Sequence, residues 1–135
     1  MPVFPSGEWM EAFCAALASR PGVERVAESL AGTYRFVVQQ SGPLREGHAY
    51  DVSIAKGANG TPAVSWSAGD SVTPTIELVA DYERWRQIIS GTMDVPLAVM
   101  LGRLRVRGDI ARVTNHAADA RPLLDALKAV PTTWL

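Results

Sequence analysis

The sequence predicts an α+β fold, in which helices cover one face of a twisted, mostly antiparallel sheet of five strands. Apolar residues recur at helical spacing near both ends of the chain and at every second position in its middle. Clusters of glycine, proline, serine and asparagine separate the alternating runs by short links, which favour antiparallel neighbours. The 135 residues, 47% of them hydrophobic, are enough for a single domain over 1–135 with its own core.

Two helices are predicted at the start of the chain. Ser6 can cap the first one, which should end before Pro21-Gly22. Its buried stripe consists of Trp9, Met10, Phe13, Cys14, Leu17 and Ala18. Pro21 can begin a second, shorter helix, and Gly32 is expected to end it.

Four strands are predicted next, with turns at 57–60 and 69–70 and a longer loop at 41–47. Alternate positions of these strands are apolar and should form one face of the sheet. They are Tyr34, Phe36, Tyr50, Val52, Ile54, Trp66, Ile76 and Leu78. Short links predict that each strand pairs with the next one along the chain, and the apolar face requires a cover of helices.

The C-terminal half returns to helical spacing. Asp81 is expected to cap one helix and Asp94 a second, short one, which glycines end at 91 and 102. Leu104 and Val106 then alternate with arginines in a fifth strand. A helical segment follows from residue 110, and Asp119 is predicted to cap a last helix that ends before residue 131.

Composition excludes several classes of protein. A net charge of -1 gives no basic field for nucleic acid. The single cysteine, Cys14, lies in an apolar helical run, which predicts a buried structural thiol and fits a reducing cytoplasm. The first residues lack a signal-peptide pattern, and no apolar run approaches the ~20 residues of a membrane span. Arginine greatly outnumbers lysine, which suggests a bacterial source of high GC content.

Motifs of catalysis and metal binding are lacking in the sequence. His48 and His116 form no metal-binding spacing, and the pair His116 and Asp119 is better explained by surface residues near a helix start. No nucleophile elbow or phosphate loop is present. We therefore assign no catalytic residue, no metal and no cofactor.

The most informative stretch is 90–109. Within it, the short helix in residues 93–101 is apolar nearly all round. It is either buried on both sides or a wall shared by the core and a ligand cavity. Arg103, Arg105 and Arg107 follow it on one strand face, which is either solvated or in weak contact with anionic lipid headgroups. Trp134 either closes an apolar opening or docks onto the last helix.

The C-terminal half resembles the sterol carrier protein 2 (SCP2) family. The resemblance is clear over 72–130, while the N-terminal half agrees only in the order of its elements. Its most specific part is the run Gly-Arg-Leu-Arg-Val-Arg-Gly-Asp at 102–109. This run follows Ser-Gly-Thr-Met-Asp at 90–94 and the short helix from Pro96 to Leu101.

The resemblance implies a hydrophobic tunnel between the sheet and the helices. Such a tunnel takes sterols, fatty acids, fatty acyl-CoA or phospholipids without covalent chemistry. The lining residues it implies are Trp85, Ile88, Ile89, Val95, Leu97, Ala98, Met100, Leu101, Leu104, Val106, Ile110, Leu123, Leu124 and Leu127. Trp134 joins this ligand-binding set as the residue expected to close the opening. The chain does not end in a Ser-Lys-Leu-type peroxisomal signal, so a peroxisomal setting is not supported.

The leading interpretation is a lipid carrier that exchanges an apolar ligand with membranes or with a lipid-metabolising enzyme. An accessory protein that presents a substrate to a pathway enzyme is a close variant. One alternative is an enzyme that uses the same cavity, with Glu77, Tyr82, Asp109 or His116 as its polar groups. Another is a regulatory module that forms a homodimer through its apolar helix.

Overall fold

A computed structural model describes residues 1–69 and 73–135. Its strands form one open sheet, in the order β3-β2-β1-β4-β5. They are β1 (Gly32–Gln39), β2 (His48–Lys56), β3 (Pro62–Ala68), β4 (Ile76–Asp81) and β5 (Arg105–Gly108). Three of the four strand pairs are antiparallel, and the pair β1/β4 is parallel, so the predicted α+β fold with a mostly antiparallel sheet is confirmed.

Six α-helices and one 3₁₀ helix, Ala117–Ala120, accompany the sheet in the described ranges. The α-helices are α1 (Gly7–Ala18), α2 (Val23–Ser29), α3 (Tyr82–Ser90), α4 (Val95–Met100), α5 (Ile110–Asn115) and α6 (Arg121–Ala129). Across 1–69 and 73–135, every helix is too short or too polar to cross a membrane.

The predicted pairing of the third and fourth strands is wrong. β4 lies parallel to β1, with Ile76 beside Tyr34 and Leu78 beside Phe36. This position extends the apolar face of the sheet and leaves β4 free to pair with β5 on its other side. The alternation of apolar residues cannot distinguish this arrangement from a hairpin, because both arrangements place the same alternate residues on the apolar face of the sheet. Of the predicted turn at 69–70, only Gly69 lies within the described residues.

Three predicted helix starts are confirmed by side-chain caps. Ser6, Asp81 and Asp94 accept hydrogen bonds from the backbone N–H groups three residues later, at 3.1, 2.8 and 2.9 Å. The predicted cap at Asp119 is wrong. α6 begins after Ala120, which makes no side-chain cap, and the Asp119 carboxylate instead accepts a 2.9 Å hydrogen bond from the Ser29 hydroxyl.

The boundaries of the second helix also differ from the prediction. α2 begins at Val23 rather than at Pro21, and Gly22 precedes it with φ 90°. Its last residue is Ser29, so Gly32 does not end the helix but is the first residue of β1. Glycine and proline mark the break between two elements, but they do not say which element the adjoining residues join.

The core lies between the apolar face of the sheet and the helices. A run of rings crosses it from Trp9 through Phe13 and Phe36 to Trp85, with successive centroids 5.6, 5.5 and 5.4 Å apart. Cys14 is buried beside this run, and burial, aided by the charge of Glu11, raises the pKa of its thiol to about 11. The thiol is therefore protonated at neutral pH, which fits a structural role.

β5 ends at a Gly-Asp pair. Steric space explains the glycine, and hydrogen bonding explains the aspartate. Gly108 has φ 108°, and a Cβ atom there would overlap the carbonyl oxygen of Thr75. The next N–H, that of Asp109, donates to the same carbonyl at 3.0 Å. The Asp109 carboxylate then caps α5 by accepting from the N–H of Arg112. This turn directs the chain from the edge strand onto the helical face.

A row of alternating charges crosses the opposite face of the sheet. Asp51, Arg35, Glu77 and Arg107 occupy facing positions on four adjacent strands. Two guanidinium nitrogens of Arg35 donate to the two carboxylate oxygens of Asp51 at 2.8 and 3.1 Å, and Asp51 is only 1% exposed. The outer pair, Glu77 with Arg107, is longer, at 3.7 Å, and more exposed.

We expect Asp51→Asn to lower the free energy of unfolding by about 2 kcal/mol. The substitution removes the carboxylate charge from a buried ion pair that two hydrogen bonds join to Arg35. Urea unfolding followed by circular dichroism measures this change. Glu77→Gln is the matched control in the same row, and its cost should stay below about 1 kcal/mol because its partner is solvated. Equal losses for both variants would contradict the special role of the buried pair.

Candidate lipid-binding cavity

A cavity of about 320 Å³ lies between the apolar face of the sheet and the C-terminal helices. β1, β4 and β5 form its floor, and α3, α4, α5 and α6 surround it. Its described wall consists of Leu30, Tyr34, Ile76, Leu78, Trp85, Val95, Pro96, Val99, Leu104, Val106, Ile110, Val113, Thr114, Ala117, Ala120, Leu123, Leu124 and Leu127. Apart from the Trp85 indole N–H, which is bonded to a backbone carbonyl, only the side chains of Tyr34 and Thr114 carry a polar atom. The cavity therefore offers dispersion and hydrophobic contact rather than hydrogen bonds.

The phenol of Tyr34 is already engaged. Its hydroxyl donates a 2.6 Å hydrogen bond to the carbonyl oxygen of Leu30, which also contributes to the wall. Burial raises the pKa of Tyr34 to about 12; the charge of Arg112 opposes this rise and that of Asp109 adds to it. The phenol therefore stays neutral across the physiological range and brings no charge into the cavity.

Eight of the predicted ligand-binding residues lie together on this wall. They are Trp85, Val95, Leu104, Val106, Ile110, Leu123, Leu124 and Leu127. The strand residues Tyr34, Ile76 and Leu78 also line the cavity, and strand alternation had already placed them on the apolar face. Thr114, Ala117 and Ala120 also line the cavity, but the sequence gives no signal for them, because small or polar residues near helix ends look like ordinary surface residues.

The other seven predicted residues lie elsewhere. Ile88, Ile89 and Ala98 are buried in the core. Leu97, Met100 and Leu101 are exposed on α4 and just after it, and they do not contribute to the cavity wall. Trp134 packs against Phe4 and Tyr82, with the guanidinium of Arg86 5.3 Å from its ring centroid. It therefore lies over the N-terminal segment and α3, away from the cavity.

A second recess of about 220 Å³ adjoins the first and shares Val95, Pro96, Leu124 and Leu127 with it. Its remaining wall is mixed, with Ile88 and Met93 beside four charged side chains. These are Asp94, Arg121, Asp125 and Lys128, whose formal charges cancel. Arg121 and Asp125 form an ion pair at 3.2 Å.

The polar groups considered for catalysis lie off the cavity wall and are engaged elsewhere. Tyr82 is fully buried, and its hydroxyl accepts a hydrogen bond from the N–H of Leu135. Asp109 caps α5, Glu77 faces Arg107, and His116 lies 3.8 Å from Asp119. Within the described ranges, no group of three His, Cys, Asp or Glu side chains is placed to hold a metal ion.

The arrangement is therefore an apolar cavity under a cover of short helices. The model of the SCP-2 sterol transfer family matches residues 11–121, which is well over half of the chain. The chain belongs to the SCP-2 sterol transfer family. The match extends into the N-terminal half, where the sequence showed agreement only in the order of elements. Its function therefore belongs to the general class of this family, which is the binding and transfer of apolar lipids.

Solved structures agree with this family fold. A crystal structure of sterol carrier protein 2 is 20% identical, has a TM-score of 0.75 and covers 93% of this chain and 98% of its own. A solution structure from Thermus thermophilus is 20% identical, with a TM-score of 0.70 over 95% of this chain and 90% of its own. The UbiJ-SCP2 ubiquinone synthesis protein is 17% identical, with a TM-score of 0.59 over 97% of this chain and 98% of its own. A search among curated protein sequences finds no match.

Proposed function

We propose that this SCP2-family protein binds one apolar chain of a lipid in the 320 Å³ cavity and releases it chemically unchanged. The observation that carries the proposal is the near absence of polar atoms from the described wall. Each methylene that moves from water into such a cavity contributes about 0.8 kcal/mol. A long acyl chain therefore gains affinity from burial alone, without a charged anchor.

The size of the cavity favours a slender ligand. Ligand sites commonly span about 300–1,000 Å³, so this cavity lies at the lower end of that range. A fatty acid, the acyl group of fatty acyl-CoA or one chain of a phospholipid suits this space better than a broad fused-ring sterol. Because the polar residues near the cavity act as caps and ion-pair partners, we assign no catalytic step to it.

The test is native mass spectrometry of the purified protein, followed by delipidation and titration with the fluorescent fatty acid cis-parinaric acid. We expect one bound fatty acid per chain and displacement of the probe by palmitate. Dehydroergosterol, a fluorescent sterol, should bind more weakly in a parallel titration. A delipidated, folded protein that takes up neither probe would overturn the proposal.

A second candidate function is that of a pathway accessory, which holds an apolar intermediate for an enzyme. The likeness to the UbiJ-SCP2 ubiquinone synthesis protein over nearly the full length of both chains favours it. In this case the extract of the native protein should contain a substituted aromatic or prenylated compound rather than a common fatty acid. Lipid analysis of the same extract distinguishes the two functions.

A further inference from the structure

The 220 Å³ recess beside the apolar cavity is separated from it by one layer of side chains. Val95 and Pro96 on α4 and Leu124 and Leu127 on α6 line both spaces. Pro96 is exposed, and Val95 and Leu124 are only half-buried, so this partition lies near the surface. The backbones of the two described helices do not pack closely on each other, so the seam between them can admit a slender chain.

The recess is amphipathic, whereas the cavity is almost entirely apolar. Ile88 and Met93 are buried and give it an apolar floor, on which the last methylenes of a chain can lie. Its rim carries the four charged side chains of Asp94, Arg121, Asp125 and Lys128. A lipid that extends from the cavity into the recess therefore passes from an apolar to a charged environment.

Three of the four charged side chains already have partners. Asp94 accepts the 2.9 Å hydrogen bond that caps α4, and Arg121 and Asp125 form the ion pair at 3.2 Å. Lys128 is exposed, and in the part of the chain that the structure describes its ammonium has neither an ion pair nor a hydrogen bond. The formal charges of the rim cancel, but its unengaged charge is therefore a cation.

The stem of Lys128 holds this cation beside the recess. Gly91, which ends α3 with φ 86°, leaves the space of a side chain open, and the Lys128 Cδ lies 3.7 Å from where a Cβ atom of Gly91 would be. Leu124 and Lys128 are four residues apart on α6 and so lie on the same helix face. The cation thus follows directly after a residue that lines both spaces.

We propose that the recess binds the carboxylate of a fatty acid whose chain lies in the cavity, with the ammonium of Lys128 as its partner. This proposal rests on the proposed lipid-binding function and narrows its ligand to a free fatty acid. The acyl groups of acyl-CoA and phospholipids fit less well, because a thioester or ester brings no charge to the end of the chain. An ion pair this exposed adds little affinity, so its main effect is to fix the direction in which the chain enters.

The test compares cis-parinaric acid with its uncharged methyl ester in fluorescence titrations of the delipidated, full-length protein at neutral pH. Both should bind to the wild type, because both carry the same chain. Lys128→Met keeps an unbranched stem over Gly91 but removes the charge, so the ratio of acid to ester affinity should fall about fivefold. Lys128→Arg should keep the ratio of the wild type. Asp125→Asn removes a competing negative charge and should raise the ratio about twofold.

The matched control is Lys56→Met, which changes the only other lysine of the chain. Lys56 lies on β2, does not line the recess and has its ammonium 3.5 Å from a carboxylate oxygen of Glu28. This variant loses the same charge as Lys128→Met but should keep the ratio of the wild type. Equal falls in both variants would show that the ratio reports net charge and would overturn the proposal.

The methyl ester separates this proposal from the one on which it rests. A folded wild-type protein that binds neither the acid nor the ester would overturn the carrier function and the recess site together. Binding of both, with a ratio that Lys128→Met leaves unchanged, would overturn the recess site and leave the carrier function standing. Parallel losses of acid and ester in Lys128→Met also leave the ratio unchanged, and they would assign the effect to packing over Gly91 rather than to charge.

Discussion

Ala120→Phe is expected to lower the affinity for cis-parinaric acid and palmitate at least about tenfold, because it occupies cavity volume equivalent to two or more ligand methylenes. Ala120 lies at the start of α6, is partly buried against the core and contributes to the cavity wall. Its backbone has φ -78° and ψ -9°, which a phenylalanine adopts without strain. Fluorescence titration measures the change in affinity.

The matched control is Ala118→Phe, in the same 3₁₀ helix. Ala118 is exposed and does not contribute to the wall, so this variant should bind the probe like the wild type. Thermal unfolding of both variants checks that the fold is retained, and Ala120→Phe should be at least as stable as Ala118→Phe because it fills an apolar void. Unchanged affinity in a stable Ala120→Phe protein would mean that the ligand lies elsewhere.

Trp85→Ala is expected to lower the free energy of unfolding by about 3 to 5 kcal/mol. Trp85 is 1% exposed and stacks on Phe36, with their centroids 5.4 Å apart and their rings 14° from parallel. Its Nε1–H donates a 2.9 Å hydrogen bond to the carbonyl oxygen of Val37. The substitution therefore enlarges the cavity, removes a ring from the aromatic run and takes a donor from that carbonyl. Urea unfolding at constant pH measures the effect.

Trp85→Phe separates the loss of the N–H donor from the loss of the aromatic ring. It keeps an aromatic ring against Phe36 but removes the N–H donor, so it should cost about 1 to 2 kcal/mol. A loss below about 1 kcal/mol for Trp85→Ala would show that the neighbouring helices collapse onto the site. In that case the cavity beside Trp85 would not be a rigid, preformed space.

The elements of the fold could be predicted from local patterns. Ser6, Asp81 and Asp94 each precede an apolar helical run, and their side chains bond the backbone as such caps do. The same reasoning failed at Asp119, which is also followed by an apolar run. A tertiary contact decided that position, because the Ser29 hydroxyl from α2 occupies the carboxylate that would otherwise cap the helix.

The candidate site was predictable only in part, because periodicity says that a residue is apolar but not what it faces. Leu101 and Leu104 are equally apolar and close in sequence, yet Leu101 is half exposed and Leu104 is buried on the cavity wall. Helix α4 is apolar on all sides, so its sequence could not indicate which side faces the interior. Small residues of the wall, such as Ala120, were missed because they look like ordinary surface residues near a helix end.

The amino-acid sequence alone determined the α+β class, the family and the positions of the strands, because each depends on local periodicity and on a short motif at 102–109. The tertiary structure decided that β4 lies parallel to β1 and which residues form the cavity wall. These features depend on contacts between residues far apart in the chain. The packing of the whole apolar face determines such contacts, and no local sequence pattern predicts them.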